Sequence, residues 1–336
     1  MSWFVVGLDN GGTQNNATVL DDGGRFLVDR LIETPSLVLD GPDAAVGALA
    51  RSFDHILDVT DTARTDVRAV GLDTPGPASA DGVISSKGAT NFNTPPWRGF
   101  DIRSALEARL GVPVVYQNDG NAAALYAHHV HFGPQATWRS SVSAIIGTGL
   151  GGGVVHEGRI IAGAVGMAGE LGHVHLPMEG LLELGQSLPQ CNCGFAGDAE
   201  SVASLRGIEN NLLPYWLARF PDHPLHREPN IRAAAMKVRG LAEAGDELAR
   251  AVFTQQAMAL GRLFTIAANV LDPHAFFIGG GVVETTVSFR EWFLDAVRTH
   301  TIVRDEQRGA AVAAVPDLDM AGARGSALAA ATSISG

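Results

Sequence analysis

Short apolar runs alternate with amphipathic stretches along the whole chain. Trp3–Leu8, Asn16–Leu20 and Arg25–Arg30 predict three strands, with Asp21-Asp22-Gly23-Gly24 as a hairpin turn. From Pro42 the period becomes helical, because Val46, Leu49, Phe53, Ile56 and Leu57 recur on one face. Val67–Leu72 predicts a buried strand ending in Thr74-Pro75-Gly76-Pro77, and the loop Asn91–Pro96 leads to a helix near Asp101–Leu110. Val112–Tyr116 predicts another strand, and Ala122–His129 begins a helix. Val142–Ile146 opens a second round of strands, a loop-rich insert runs from about 172 to 200, and helices follow to about 271. His274–Ile278 predicts a strand ending in Gly279-Gly280-Gly281, and Ala321–Ser333 predicts a small-residue helix packing back on the first domain. Strands alternating with helices give an α/β class.

Two glycine loops stand in matching places, each after an apolar strand and before a second strand. They are Asp9-Asn10-Gly11-Gly12-Thr13 and Gly147-Thr148-Gly149-Leu150-Gly151-Gly152-Gly153. Backbone N–H groups in such turns can cradle an anion, which makes phosphoryl transfer the first hypothesis. The bland reading is that the glycines only make tight turns. Gly147-x-Gly149-x-x-Gly152, with Glu170 beyond, matches a dinucleotide fingerprint as text. That fingerprint needs a helix at the loop to hold the pyrophosphate. Here Val154–Ile161 reads as a hairpin, so the dinucleotide reading fails. Neither loop ends in the Lys-Ser or Lys-Thr of a Walker loop. Asp9, at a strand end beside the first loop, could hold Mg²⁺ directly or through water.

Composition narrows the field. The 336 residues suit two domains better than one, and glycine is high at 40. A formal charge of −12 without a basic stripe argues against nucleic acid as a partner. No run approaches the roughly 18–20 apolar residues of a membrane helix. The start, Met1-Ser2-Trp3-Phe4, lacks a basic leader, which points to the cytoplasm.

Three groups carry candidate chemistry. Asp119, after a strand and before a helix, lies where α/β sheets bind ligands. There it could accept a proton from a substrate hydroxyl attacking a γ-phosphate, or it could merely cap the helix beginning at Asn121. Glu170 and His173 sit three residues apart in Gly169-Glu170-Leu171-Gly172-His173. Cys191 and Cys193, with a nearby carboxylate and His173 upstream, form a possible tetrahedral Zn²⁺ set. An incidental cysteine pair, with His173 satisfied in the core, is the alternative.

In this order the motifs resemble the ROK family (repressor, open reading frame, kinase) of sugar kinases. The resemblance runs from Asp9–Thr13 through Thr74–Pro77, Asn118–Ala124, Gly147–Gly153, Gly169–His173 and Cys191–Gly197 to Gly279–Gly281. It implies a two-domain actin/hexokinase-like (ribonuclease H-like) fold with an interdomain cleft. A smaller N-terminal α/β domain would cover about 1–120 plus the C-terminal helix at about 318–336. A larger domain with the zinc-site loop would cover 121–317. Asp119 would be the catalytic base, and Asn118, Glu170, His173 and Glu200 would hydrogen-bond the sugar along with it. Gly11, Gly12, Thr13, Gly147, Thr148 and Gly149 would lie against the ATP phosphates, with Asp9 near Mg²⁺ and Gly279, Gly280 and Gly281 lining the nucleotide site. The chain departs from the family at Asp198, where a third cysteine is usual. Its zinc set therefore becomes His173, Cys191, Cys193 and Asp198, with His175 as a substitute ligand or no metal at all as alternatives.

The resemblance thus implies an ATP-dependent hexose kinase, with glucose as first acceptor, transfer to the 6-hydroxyl, and a homodimer. Fructose, mannose, an amino sugar or a cyclitol remain open as acceptors, and polyphosphate or another nucleotide as donor. A repressor would place a helix-turn-helix before the first strand, and this chain begins at the strand. A sugar sensor without catalysis is the remaining class, and it has no need of Asp119.

Overall fold

Trp3 to Leu8 alternate little in polarity, as expected for a strand covered on both faces. In a computed structural model, which describes residues 3–76, 78–85, 91–315 and 318–335, Val5, Val6 and Leu8 of β1 (Phe4–Asn10) are fully buried. Met1, Ser2 and Pro77, the last residue of the predicted Thr-Pro-Gly-Pro turn, lie outside the described residues, as does Gly336. β2 (Gln14–Asp21) returns antiparallel to β1, and β3 (Glu33–Pro35) pairs with β2. Then come α1 (Pro42–Thr60), β4 (Val67–Thr74), α2 (Ile102–Leu110), β5 (Val114–Asn118) and α3 (Asp119–Phe132). The middle of the chain holds β6 (Ser141–Ile146), β7 (Leu150–His156) and β8 (Arg159–Ile160). The short helices α4 (Glu200–Ala203), α5 (Leu205–Gly207) and α6 (Leu213–Arg219) precede the long α7 (Ile231–Glu243) and α8 (Glu247–Leu271). β9 (Ala275–Gly280), α9 (Val287–His300), β10 (Ala311–Ala314) and α10 (Leu318–Ser335) complete the chain.

The elements form two compact units. The first comprises Met1–Arg139, Gly153–Gly169 and Asp317–Gly336, and the second Ser140–Gly152 and Glu170–Pro316. The expected division near residue 120 falls elsewhere, because α3 packs on α10 inside the first unit. A Cβ at Gly325 of α10 would overlap the Ala122 carbonyl of α3.

In the first unit the sheet order is β3-β2-β1-β4-β5, with β1, β4 and β5 parallel. Val6, Leu8, Leu72 and Val114 join Phe53, Ile56 and Leu106 of α1 and α2 in one core. The opposite face meets α10 at close range. Cβ atoms at Gly7 and Gly71 would overlap the carbonyls of Ala323 and Ser326. The small residues of α10 thus match two glycines in register on neighbouring strands, Gly7↔Gly71.

One strand expectation fails. Arg25–Arg30 touches β2 through the Leu20↔Phe26 bridge and is otherwise irregular. Its groups are engaged elsewhere: the Arg324 guanidinium lies 4.9 Å from the Phe26 ring centre and donates to the Val28 carbonyl at 3.2 Å. The third ladder is supplied instead by Glu33–Pro35. β5 also begins two residues later than its apolar run and extends to Asn118.

In the second unit β9 runs parallel between β10 and β6, and the sheet order reads β10-β9-β6-β7-β8. Phe264, Phe276, Phe289 and Phe293 are fully buried. Among the described residues, no helix is long and apolar enough to cross a membrane.

Candidate active site

The parallel register of the first unit brings the ends of three strands together. Asp9 pairs with Asp73, Asp73 with Gln117, and Thr74 with Asn118. Asp119 comes directly after β5 as the first residue of α3. The helix cap is Asn118, whose side chain accepts from the Asn121 N–H at 2.7 Å, so Asp119 is not the cap. Asp119 stands exposed on the first turn, with one carboxylate oxygen accepting from the Gly120 N–H at 2.8 Å. Its charge is felt at Asp73 and Tyr116.

Asp73 was not foreseen. It is fully buried, it accepts from the Ser326 hydroxyl at 2.8 Å, and it hydrogen-bonds to Asp9. Burial raises the pKa of Asp73 well above the ordinary carboxylate value, reinforced by the Asp9 charge. Burial also raises Asp9, although hydrogen bonds with Asp73 and Asn16 oppose it. Two carboxyls in contact at a dry strand edge favour a shared proton. The available signal was a repeat, Gly7-Leu8-Asp9 against Gly71-Leu72-Asp73.

Asn10, Asn15 and Ser52 form a buried chain of hydrogen bonds, 2.6 and 3.1 Å long, that ties the first glycine loop to α1. The Asn91 amide lies so close to Gly12 that a Cβ there would overlap it. Local reading of the loop gave no sign of Asn91, which arrives from a distant segment.

In the second unit the other candidates converge. No helix follows the Gly147–Gly149 turn, since Leu150 opens β7, and Val155 pairs with Ile160 in the expected hairpin. The Leu150 N–H donates to Glu200 Oε2 at 2.9 Å, and the Cys191 thiol donates to Glu200 Oε1 at 3.5 Å. Glu170 precedes a 3-10 turn, Leu171–His173, where an irregular loop was expected. Burial raises the Glu170 pKa, with Glu200 pushing it up and His173 pulling it down. Ile146 pairs with Gly280, so the ends of β6 and β9 bring Gly279–Gly281 beside the Gly147–Gly149 turn. At Gly280, with φ of +93°, a side chain would overlap the Ile146 carbonyl.

His173, Cys191, Cys193 and Asp198 each present a ligand atom, all within 4.8 Å of one another. That spacing suits one tetrahedral ion with bonds of about 2.0–2.3 Å. Asp198 is buried, and its Oδ1 is taken by the Ser201 N–H at 2.9 Å. Oδ2 faces His173 Nδ1 at 3.3 Å and Cys193 Sγ at 3.6 Å. Burial alone would raise Asp198, yet hydrogen bonds from Cys191, Ser201 and His173 leave it below the usual carboxylate value. Burial pushes the Cys191 thiol up. His175 is bridged to Asp198 through the backbone, and its ring packs 5.7 Å from Phe195.

The ROK family model matches residues 5–333. The chain belongs to the ROK family. A glucokinase of Halalkalibacterium halodurans is 33% identical over 291 residues, covering 83% of this chain and 80% of the relative. The crystal structure of a ROK hexokinase from Thermus thermophilus superposes with a TM-score of 0.78 at 30% identity, covering 99% of each chain. A ROK glucokinase from Streptomyces griseus, in complex with glucose and AMPPNP, matches at 27% identity and a TM-score of 0.69, over 98% of this chain and 99% of that one. These ROK likenesses fit the actin/hexokinase-like α/β fold expected from the motifs.

Proposed function

We propose that this chain is an ATP-dependent hexose kinase, with glucose the leading acceptor and its 6-hydroxyl the nucleophile. The observation that carries the reading is Asp119, an exposed carboxylate on the first turn of α3 directly after β5, at the sheet's carboxyl edge. The carboxylate accepts the hydroxyl proton as the sugar oxygen attacks the γ-phosphorus. The bond to the bridging oxygen breaks, and ADP leaves. A sensor has no use for such a base.

Asn118, Glu170, His173 and Glu200 would hold the sugar hydroxyls with Asp119. Backbone N–H groups of Gly11, Gly12, Thr13, Gly147, Thr148 and Gly149 would receive the phosphates, and Gly279–Gly281 would border the nucleotide. Asp9 is the residue to hold Mg²⁺, which supplies charge neutralisation on the phosphates. Zn²⁺ held by His173, Cys191, Cys193 and Asp198 would brace the loop that carries Glu200, leaving His173 Nε2 for the sugar. The similarity to a glucokinase, and to a glucokinase complexed with glucose and AMPPNP, supports this acceptor and donor. We further place the protein in the cytoplasm as a homodimer, with no nucleic acid or membrane partner.

A panel of hexoses, amino sugars and cyclitols with ATP and Mg²⁺, read as ADP release, tests the reading. Glucose-dependent ADP release is expected. Release with none of them, despite saccharide binding, would favour the sensor.

A further inference from the structure

The carboxyl end of β9 brings a second set of side chains to the donor side, all of them within the second unit. Gly279 and Gly280 are buried and Gly281 is half-buried, so a ligand bordered by these glycines meets Gly281 first. Ile146 pairs with Gly280 across a ladder of about 4.8 Å, and the next residues are Gly147 on one strand and Gly281 on the other. The last turns of α7 reach this point. Arg239 Nη1 donates to the Gly281 carbonyl, and a Cβ at Gly281 would stand 3.1 Å from the same nitrogen. One turn further along α7, Glu243 Oε1 lies 3.8 Å from Arg239 Nε. The same oxygen accepts from the Thr285 hydroxyl, in the loop after β9. Both side chains remain accessible, Arg239 at 46% and Glu243 at 24%.

The chemistry here suits the nucleoside part of a nucleotide better than its phosphates. Glu243, and the exposed Glu284 next to Thr285, carry negative charge that opposes a polyphosphate, and Glu243 already offsets the charge of Arg239. Among the described residues Glu243 Oε2 has no hydrogen-bond partner. A carboxylate only accepts, and the two hydroxyls of a ribose diol are donors that match it. A guanidinium is planar, and its face stacks on aromatic rings such as a nucleobase. Inorganic polyphosphate offers neither a diol nor a ring. A mere brace between α7 and the loop after β9 is the competing role for the pair.

We infer that Arg239 and Glu243 are specificity-determining residues of the donor site. Glu243 binds the ribose diol and Arg239 lies against the base, so the chain selects a nucleotide over inorganic polyphosphate. The inference rests on the kinase reading and on Gly281 bordering the nucleotide.

Titration of the full chain with ATP, 2′-deoxy-ATP and tripolyphosphate, each with Mg²⁺ and without sugar, isolates the nucleoside from the phosphates. Wild type should bind ATP about tenfold or more tightly than tripolyphosphate, and more tightly than 2′-deoxy-ATP. Arg239→Ala and Glu243→Gln should each weaken ATP about tenfold while tripolyphosphate affinity stays within about twofold. Glu243→Gln should also remove the preference for ATP over 2′-deoxy-ATP. Thermal midpoints report whether the variants are folded. Glutamine keeps an acceptor for Thr285, so Glu243→Gln carries the test if Arg239→Ala is not. Equal weakening of ATP and tripolyphosphate, as a brace would give, overturns the inference and leaves the kinase reading standing. Unchanged ATP binding in both variants does the same. Wild-type protein that binds neither ATP nor tripolyphosphate overturns it together with the kinase reading.

Discussion

Asp198 stands where the ROK pattern usually has cysteine, and the surrounding bonds explain how an oxygen can serve there. The Ser201 N–H fixes one carboxylate oxygen and leaves the other facing His173 and Cys193. An oxygen donor binds Zn²⁺ less tightly than a thiolate. We expect about one zinc per chain by elemental analysis, with Asp198→Cys raising the affinity. Asp198→Ala should lower it by at least the ~10–100-fold that lost supporting contacts cost elsewhere. Metal-free wild-type protein after purification in zinc would contradict this. Individual residues were unevenly legible. Asp9, Asp119 and the cysteine pair announced themselves through motifs. Asp73 did not, because one Asp at a strand end reads as a turn signal, and only the parallel register places it against Asp9. Glu200 was assigned through the resemblance, but its bond to the Leu150 N–H needed the folded loop.

At the scale of elements, α3 owes its start to Asn118 and its exposed carboxylate to that start. Asn118→Ala removes the cap, at a cost of about 1 kcal/mol. Because Asn118 is also a proposed sugar ligand, KM should rise as stability falls, measured by denaturant melts and kinetics together. The other end of the helix carries a titration. Burial, and then the neighbouring His128, lowers His129 to about 4. The unfolded chain takes up this proton near the ordinary value of about 6.5. Between pH 6.5 and 4 the unfolded state therefore holds more protons, and stability falls as pH drops through that window. His129→Leu should flatten the thermal midpoint across it; an undiminished slope would assign the effect elsewhere. The β1–β4–α10 contact is equally specific. Gly71→Ala forces a methyl into the Ser326 carbonyl and should cost about 1–3 kcal/mol in a urea melt. Element types were mostly legible from apolar period. Arg25–Arg30 was misread because Arg324, some 300 residues away in sequence, claims the Val28 carbonyl and the Phe26 ring.

Across the whole molecule, the chain's end completes what its beginning starts. α10 covers glycines of β1 and β4, and its Ser326 reaches the Asp73 carboxylate. Deletion from Leu318 onward should abolish the cooperative thermal transition, and a truncated chain melting like wild type would contradict that role. This return of the C terminus was foreseeable from the small residues at 321–333. The extent of the first unit was not: nothing local in Ala122–His129 or Gly153–Gly169 shows which sheet they join. Family and fold were legible because seven motifs kept their order, while the acceptor depends on side chains from segments far apart in sequence. The most direct measurement compares wild type with Asp119→Asn for glucose binding by titration and for ADP release with ATP and Mg²⁺. Glucose binding should stay within a few-fold while turnover falls by about 10²–10⁴ or more. Turnover surviving at the wild-type rate would contradict Asp119 as the base, and with it the proposed chemistry.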